Sequence, residues 1–295
     1  MELSARRACA PVEIWQRMRV VDSHVHFWDP AAIRYPWLEQ VPAIERAFLP
    51  YDYFASSDPD AVIFVEANCD TSETGSELSF VQRLATLEPR VKGIVAYANL
   101  LDAHALQKTL DTLLASQGVV GIRMNIQGEA PGFAVAPAFV HGVREVGRRG
   151  LVFDLCTTED QLGETIGLVA QCPDMQFVLD HCGKPNIRDG PLDGWAKDIA
   201  HLAAFETVAC KLSGLLTEAA PHQRTYEGIA QYLEHARQCF GPTRILYGSD
   251  WPVLTLAGGI STWRGVVDRF SATWSADDRQ QLFSTNAERI YGIDL

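Results

Sequence analysis

The order of apolar and periodic segments predicts an α/β protein, a single (β/α)8 TIM barrel of residues 20–295 behind a short extension at 1–19. Eight short runs rich in β-branched residues recur along the 295 residues, and helical periodicity fills most of the intervals between them. Polar residues of these runs gather at their C-terminal ends. Strands that alternate with helices pair in parallel through right-handed crossovers. The C-terminal ends of such a barrel's strands form its active site.

The first run, 20–26, reads VVDSHVH and continues through Phe27 and Trp28 to Asp29-Pro30. Strand alternation places Asp22, His24 and His26 on one face and Val21, Ser23, Val25 and Phe27 on the other. Two imidazoles at the end of an apolar strand suggest metal binding or acid/base work. The interval 29–60 shows no clear amphipathic helix but holds Tyr35, Trp37, Tyr51 and Tyr53. It reads as a loop covering substrate or, with Trp28, as a satellite aromatic core. The second run, 61–66, ends in Glu66, with Asn68 just beyond. A helix over 75–88, a strand over 93–98 and a helix over 103–116 follow.

Arg123 lies at the end of the run 119–124, before a helix over 137–149. The run 151–155 carries Asp154 and is followed by Cys156, then a helix over 159–171. The run 176–181 ends in Asp180-His181, followed by Cys182-Gly183-Lys184-Pro185 and a helix over 195–205. Lys211 and Ser213 belong to the run 207–213, which precedes a helix over 226–240. The last run, 244–250, ends in Ser249-Asp250 and leads through Trp251-Pro252 to a helix over 260–274.

The net charge of −12 argues against nucleic acid, whose phosphates need a concentrated basic surface. No apolar run approaches the ~20 residues of a membrane span. Seven scattered cysteines, odd in number and without a C-x-x-C pair, fit neither a disulfide framework nor a zinc cluster, and suit a reducing cytoplasm. Arg6-Arg7 is not followed by the apolar stretch of a secretion signal. A small-molecule enzyme is therefore expected, either as a monomer or as a homo-oligomer.

The segments DSHVHFWDP, RYPWL, GIR, VLDHCGKP, KLSGLLTEA, YGSDWPV and NAERIYG occur in this order. On them the chain resembles the amidohydrolase superfamily, in particular the amidohydrolase-related group of sugar lactonases and pyrone dicarboxylate hydrolase-like lactonases. The resemblance implies that His24 and His26 form the first-strand pair, that His181 is the later histidine, and that Asp250 activates water. It also marks a departure. Binuclear relatives carry a bridging lysine or glutamate on the fourth strand and a histidine on the fifth, where this chain has Arg123 and Asp154-Leu155-Cys156. A second metal is not expected. Three histidines and a carboxylate suffice for one divalent ion, zinc by preference, with a position left open. They also suffice for a metal-independent site in which imidazoles donate to a developing oxyanion.

The reading that follows is a lactonase of carbohydrate catabolism, opening an aldonolactone such as L-rhamnono- or L-fuconolactone to the free acid. Asp250 acts as base, and His24, His26 and His181 polarise the carbonyl, with or without zinc. Trp28, Glu66, Arg123, Asp154, Lys211 and Trp251 are the expected substrate contacts. Arg123 has a second reading, a structural pair with Glu66 or Asp154. One arginine favours a sugar over an aromatic dicarboxylate. The alternatives are a lactone isomerase, a metal-dependent decarboxylase and a degenerate sugar-acid-binding barrel. The decarboxylase calls for a histidine where Lys211-Leu212-Ser213 stands, and the binding protein has no need of all four catalytic groups.

Overall fold

The computed structural model describes residues 18–295, so the extension expected at 1–19 lies outside the described residues except for Met18 and Arg19. Eight strands, β1 (Val21–Val25), β2 (Ala61–Val65), β3 (Val91–Tyr97), β4 (Val119–Arg123), β5 (Val152–Leu155), β6 (Phe177–Leu179), β7 (Val208–Leu212) and β8 (Ile245–Tyr247), form one sheet in sequence order. Every neighbouring pair is parallel. The fold is a (β/α)8 TIM barrel. Helices α1 (Pro50–Phe54), α2 (Thr74–Leu87), α3 (Leu106–Ala115), α4 (Pro137–Gly147), α5 (Leu162–Gln171), α6 (Leu192–Ala203), α7 (Leu215–Glu218) and α8 (Tyr226–Phe240) lie in the crossovers. After β8 come α9 (Gly259–Phe270), α10 (Ala276–Gln280) and α11 (Asn286–Tyr291).

Alternation divides the strand residues between two cores. Val21, Ala61, Ile63, Val65, Val95, Val152, Val178, Ala209 and Leu246 pack together with Ile290 and Tyr291 of α11. Small and β-branched residues suit the crowded axis of an eight-stranded barrel. Phe64, Ile94, Ile122, Phe153, Phe177, Leu179 and Leu212 join the helices in the larger core. Each fully buried phenylalanine contributes roughly 1.5–3 kcal/mol.

β1 departs from simple alternation. Val21 belongs to the inner core and Val25 to the outer one, although both are odd-numbered. A register shift against β2 between Asp22 and Val25 accounts for the exchange. It corrects the expectation that Asp22 shares a face with the two histidines. The Asp22 carboxylate instead accepts from the Tyr53 hydroxyl at 2.7 Å and from Ser249 N at 2.8 Å. At the mouth β1 meets the chain that leaves β8: Asp250 N donates to His24 O at 2.9 Å, and His26 N donates to Trp251 O at 2.7 Å. These bonds bring the last site residue beside the first two.

The interval 29–60 forms the satellite core. Trp28 packs against Trp37 at 5.3 Å and Phe48 at 5.7 Å between ring centroids. Tyr53 is fully buried, whereas Tyr51 is exposed.

Candidate active site

Four side chains converge at the barrel mouth. His24 Nε2 and His26 Nε2 stand 3.2 Å apart. Asp250 Oδ1 lies 3.5 Å from His26 Nε2, 3.8 Å from His24 Nε2 and 4.0 Å from His181 Nε2. All four residues are buried.

The outer nitrogen of each ring has a partner. His26 Nδ1 lies 2.7 Å from the Val65 carbonyl, which only accepts, so Nδ1 carries the proton and neutral His26 presents a lone pair at Nε2. His24 Nδ1 lies 3.2 Å from Asp180 Oδ1 and 3.3 Å from the Lys211 ammonium, and His181 Nδ1 lies 2.9 Å from Ser213 Oγ. Burial holds the His24 and His181 imidazoles well below their ordinary pKa, against the opposing pull of Asp180 on His24 and of Asp250 on His181. Burial raises the Asp250 pKa, but His181 and His26 outweigh it and leave the carboxyl below its ordinary range.

The Nε2 atoms of His24 and His26 thus face each other across 3.2 Å. Imidazole nitrogens at this spacing can serve as ligands of one cation. Tetrahedral zinc with bonds of about 2.0–2.1 Å sets its ligands roughly 3.3 Å apart, close to the separations here. His24, His26 and Asp250 form one group able to hold an ion, and His24, Asp180 and His181 a second. The two groups share His24.

The local backbone supports this arrangement. Asn68, His181, Cys182, Lys184 and Asp250 have left-handed φ between 47° and 63°, and all but Cys182 line the cavity. Such conformations concentrate where function demands them. Close approach also explains two glycines. A Cβ at Gly214 would lie 2.6 Å from His181 Nδ1, and one at Gly248 would lie 2.9 Å from His24 Cβ.

The cavity above the histidines measures about 250 Å³ and is lined by His26, Trp37, Ala67, Asn68, Arg123, Asn125, Gln127, Cys156, His181, Lys184, Asp250 and Val253. Of the expected substrate contacts, only Arg123 lines it. Arg123 Nε donates to Glu66 Oε1 at 2.6 Å, Nη2 donates to Glu66 O, and Nη1 donates to Asp180 Oδ2 at 3.2 Å. Its structural pairing with Glu66 is thus realised, while its side chain still lines the cavity.

The other expected contacts lie elsewhere. Lys211 and Asp154 are fully enclosed below the mouth and joined at 2.5 Å, and Lys211 also lies 3.0 Å from Asp180 Oδ1. Buried charges pair, and these face each other rather than the cavity. Trp28 donates from Nε1 to the Arg46 carbonyl at 2.9 Å with its ring buried among aromatics. Trp251 packs against Phe27, Phe48 and Tyr53. The walls come instead from Trp37, Asn68, Asn125, Gln127 and Lys184. Lys184 Nζ donates to Gln127 Oε1 at 2.5 Å. The positions of Asn125, two residues beyond Arg123, and of Lys184 in VLDHCGKP were the available signals.

The amidohydrolase family model matches residues 21–293, nearly the whole barrel. The chain belongs to the amidohydrolase family. An L-fucono-1,5-lactonase of Burkholderia multivorans is 31% identical over 92% of this chain and 96% of its own length. A second L-fucono-1,5-lactonase, from Burkholderia ambifaria, is 29% identical over 93% of this chain and 96% of its own. The crystal structure of an amidohydrolase from Burkholderia multivorans with bound zinc superimposes with a TM-score of 0.84 at 31% identity, over 94% of this chain and all of that one.

Proposed function

We propose that this chain is a hydrolase that opens the ring of a sugar lactone to the free acid. The observation that carries the reading is the Asp250 carboxylate set against three imidazole Nε2 atoms, with hydrogen-bonding Asn68, Asn125 and Gln127 across the cavity. Arg123 is already neutralised, so Lys184 is the cavity cation available to substrate, which suits a polyhydroxylated lactone better than a polyacid. The two lactonase relatives agree with this chemistry.

In the proposed mechanism Asp250 Oδ1 faces the histidines, and the other carboxylate oxygen takes a proton from the attacking water. Attack on the lactone carbonyl gives a tetrahedral intermediate. Its collapse breaks the bond to the ring oxygen, and the protonated Asp250 returns its proton to that leaving group. Asp180, Val65 O and Ser213 hold the three rings in place from behind. A divalent cation, zinc by preference, held by His24, His26, His181 and Asp250 would supply the positive charge that polarises the carbonyl. The six described cysteines are free, which suits the reducing cytoplasm in which sugar catabolism runs.

The test is acid release from an aldonolactone panel that includes L-fucono-1,5-lactone, followed with a pH indicator. Hydrolysis releases acid and isomerisation does not. A panel without acid release contradicts the reading.

A further inference from the structure

We propose that the Lys184 ammonium, held by Gln127, is a carboxylate subsite that receives the acid group formed when the lactone ring opens. The inference rests on the lactone reading and adds to it a binding role for the product. Both side chains line the cavity that holds His26, His181 and Asp250. Lys184 is half-buried and Gln127 exposed, so the pair stands on the solvent side of that cavity. Lys184 Nζ donates to Gln127 Oε1 at 2.5 Å, and among the described residues it makes no ion pair. An ammonium carries three donors, so two N–H groups are left for a ligand. The backbone at Lys184 is left-handed, with φ 47°, a conformation that costs a side-chain-bearing residue about 1–2 kcal/mol. Such a cost persists where the position of a side chain matters.

The other cations of the site are committed. Arg123 is shared between Glu66 and Asp180, and Lys211 is enclosed with Asp154 and Asp180 below the mouth. Hydrolysis turns a neutral lactone into an acid that is ionised at neutral pH. In a cavity of about 250 Å³ the new negative charge forms close to the Asp250 carboxylate, which repels it. An anion removed from water needs a charged donor, and N–H groups of a cation bond to a carboxylate roughly twice as strongly as neutral donors do. The Lys184 ammonium meets that need. Its charge already reaches the site: burial lowers the His181 pKa and raises that of Asp250, and Lys184 adds a lowering to both. The residue therefore favours the anionic product over a neutral compound with the same hydroxyls.

The experiment measures by calorimetry the binding of L-fuconate and of L-fucitol, the neutral alditol in which a hydroxymethyl group replaces the carboxylate. Wild type, Lys184→Met and Lys184→Arg are compared. Methionine keeps the reach of the side chain without its charge. L-fuconate should bind roughly 10- to 100-fold more weakly to Lys184→Met, the worth of a hydrogen bond to a charged group, while L-fucitol stays within about threefold of wild type. Lys184→Arg keeps a charged donor and should bind L-fuconate more tightly than Lys184→Met does. Equal losses on the two ligands, a loss on L-fuconate below about threefold, or no binding of L-fuconate to wild type overturns the assignment. Acid release from the lactone panel is measured separately. A wild type that opens no lactone but binds L-fuconate through Lys184 supports the carboxylate subsite while the lactone reading falls. An active lactonase whose L-fuconate affinity is unmoved in Lys184→Met overturns the subsite alone.

Discussion

Replacing Lys211 with methionine removes one positive charge from the interior of the barrel and little volume. The ammonium lies 2.5 Å from Asp154 Oδ2, 3.0 Å from Asp180 Oδ1 and 3.3 Å from His24 Nδ1, with no exposure to solvent. Without it, the two carboxylates retain Tyr291 and Arg123 as partners, at 2.8 Å and 3.2 Å, but Arg123 is shared with Glu66, so the cluster carries one more uncompensated negative charge than in wild type. Breaking a buried pair in this way costs about 3–5 kcal/mol. Unfolding entropy near 2.1 cal/mol/K per residue amounts to about 0.6 kcal/mol/K for a chain of this length, so Tm should fall by about 5–8 °C. Adding Asp154→Asn removes the surplus charge, and the double variant should regain at least half of the loss. Calorimetric melting of the wild type, the two single variants and the double variant completes the cycle. KM of Lys211→Met should stay within about twofold of wild type, because the side chain does not reach the cavity. A loss below about 1 kcal/mol, or a double variant at least as unstable as the sum of the singles, would refute the reasoning.

Glu77 supplies a prediction with the opposite dependence on charge. Burial, helped by the charge of Glu66, raises its carboxyl from 4.5 to about 8. The folded protein thus holds a proton that the unfolded chain releases, so this stabilisation is full below about pH 4.5 and is lost as the pH climbs through about 8. Glu77→Gln mimics the protonated form and keeps an acceptor for Ala67 N, so its Tm advantage over wild type should widen between about pH 5 and pH 9; parallel curves would contradict this. Metal analysis of active protein should give one divalent ion per chain. Stripping it with a chelator should lower kcat by about 100-fold or more, with recovery on adding zinc, and two ions per chain or full activity after stripping would count against the shared His24 site.

The strands were legible because β-branched and apolar runs bounded by polar ends have few other uses, and seven of the long helices follow the expected periodicity within a few residues. Strand ends were less so. The run expected at 176–181 is a strand only over Phe177–Leu179, because His181, Cys182 and Lys184 turn left-handed. The run expected at 244–250 stops at Tyr247, because the following chain bonds to β1. Alternation identified side chains that turn inward but not how deep each lies. Asp154 and Lys211 sit one level below the mouth, where Tyr291 meets them from the last helix, and no local pattern shows that contact. The pairing of Arg123 with Glu66 joins residues 57 apart in sequence. The cavity walls come from Trp37, Asn125 and Gln127, which lie outside the strands and carry no periodicity.

Asp250→Asn tests the central claim most directly. The substitution keeps the size of the side chain and a hydrogen-bonding group beside His26, but it removes the oxygen that accepts and returns the proton. Acid release from the best lactone of the panel should show kcat lower by about 10²- to 10⁴-fold, with KM little changed. A variant that keeps more than about a tenth of wild-type kcat would place the base elsewhere and contradict the account.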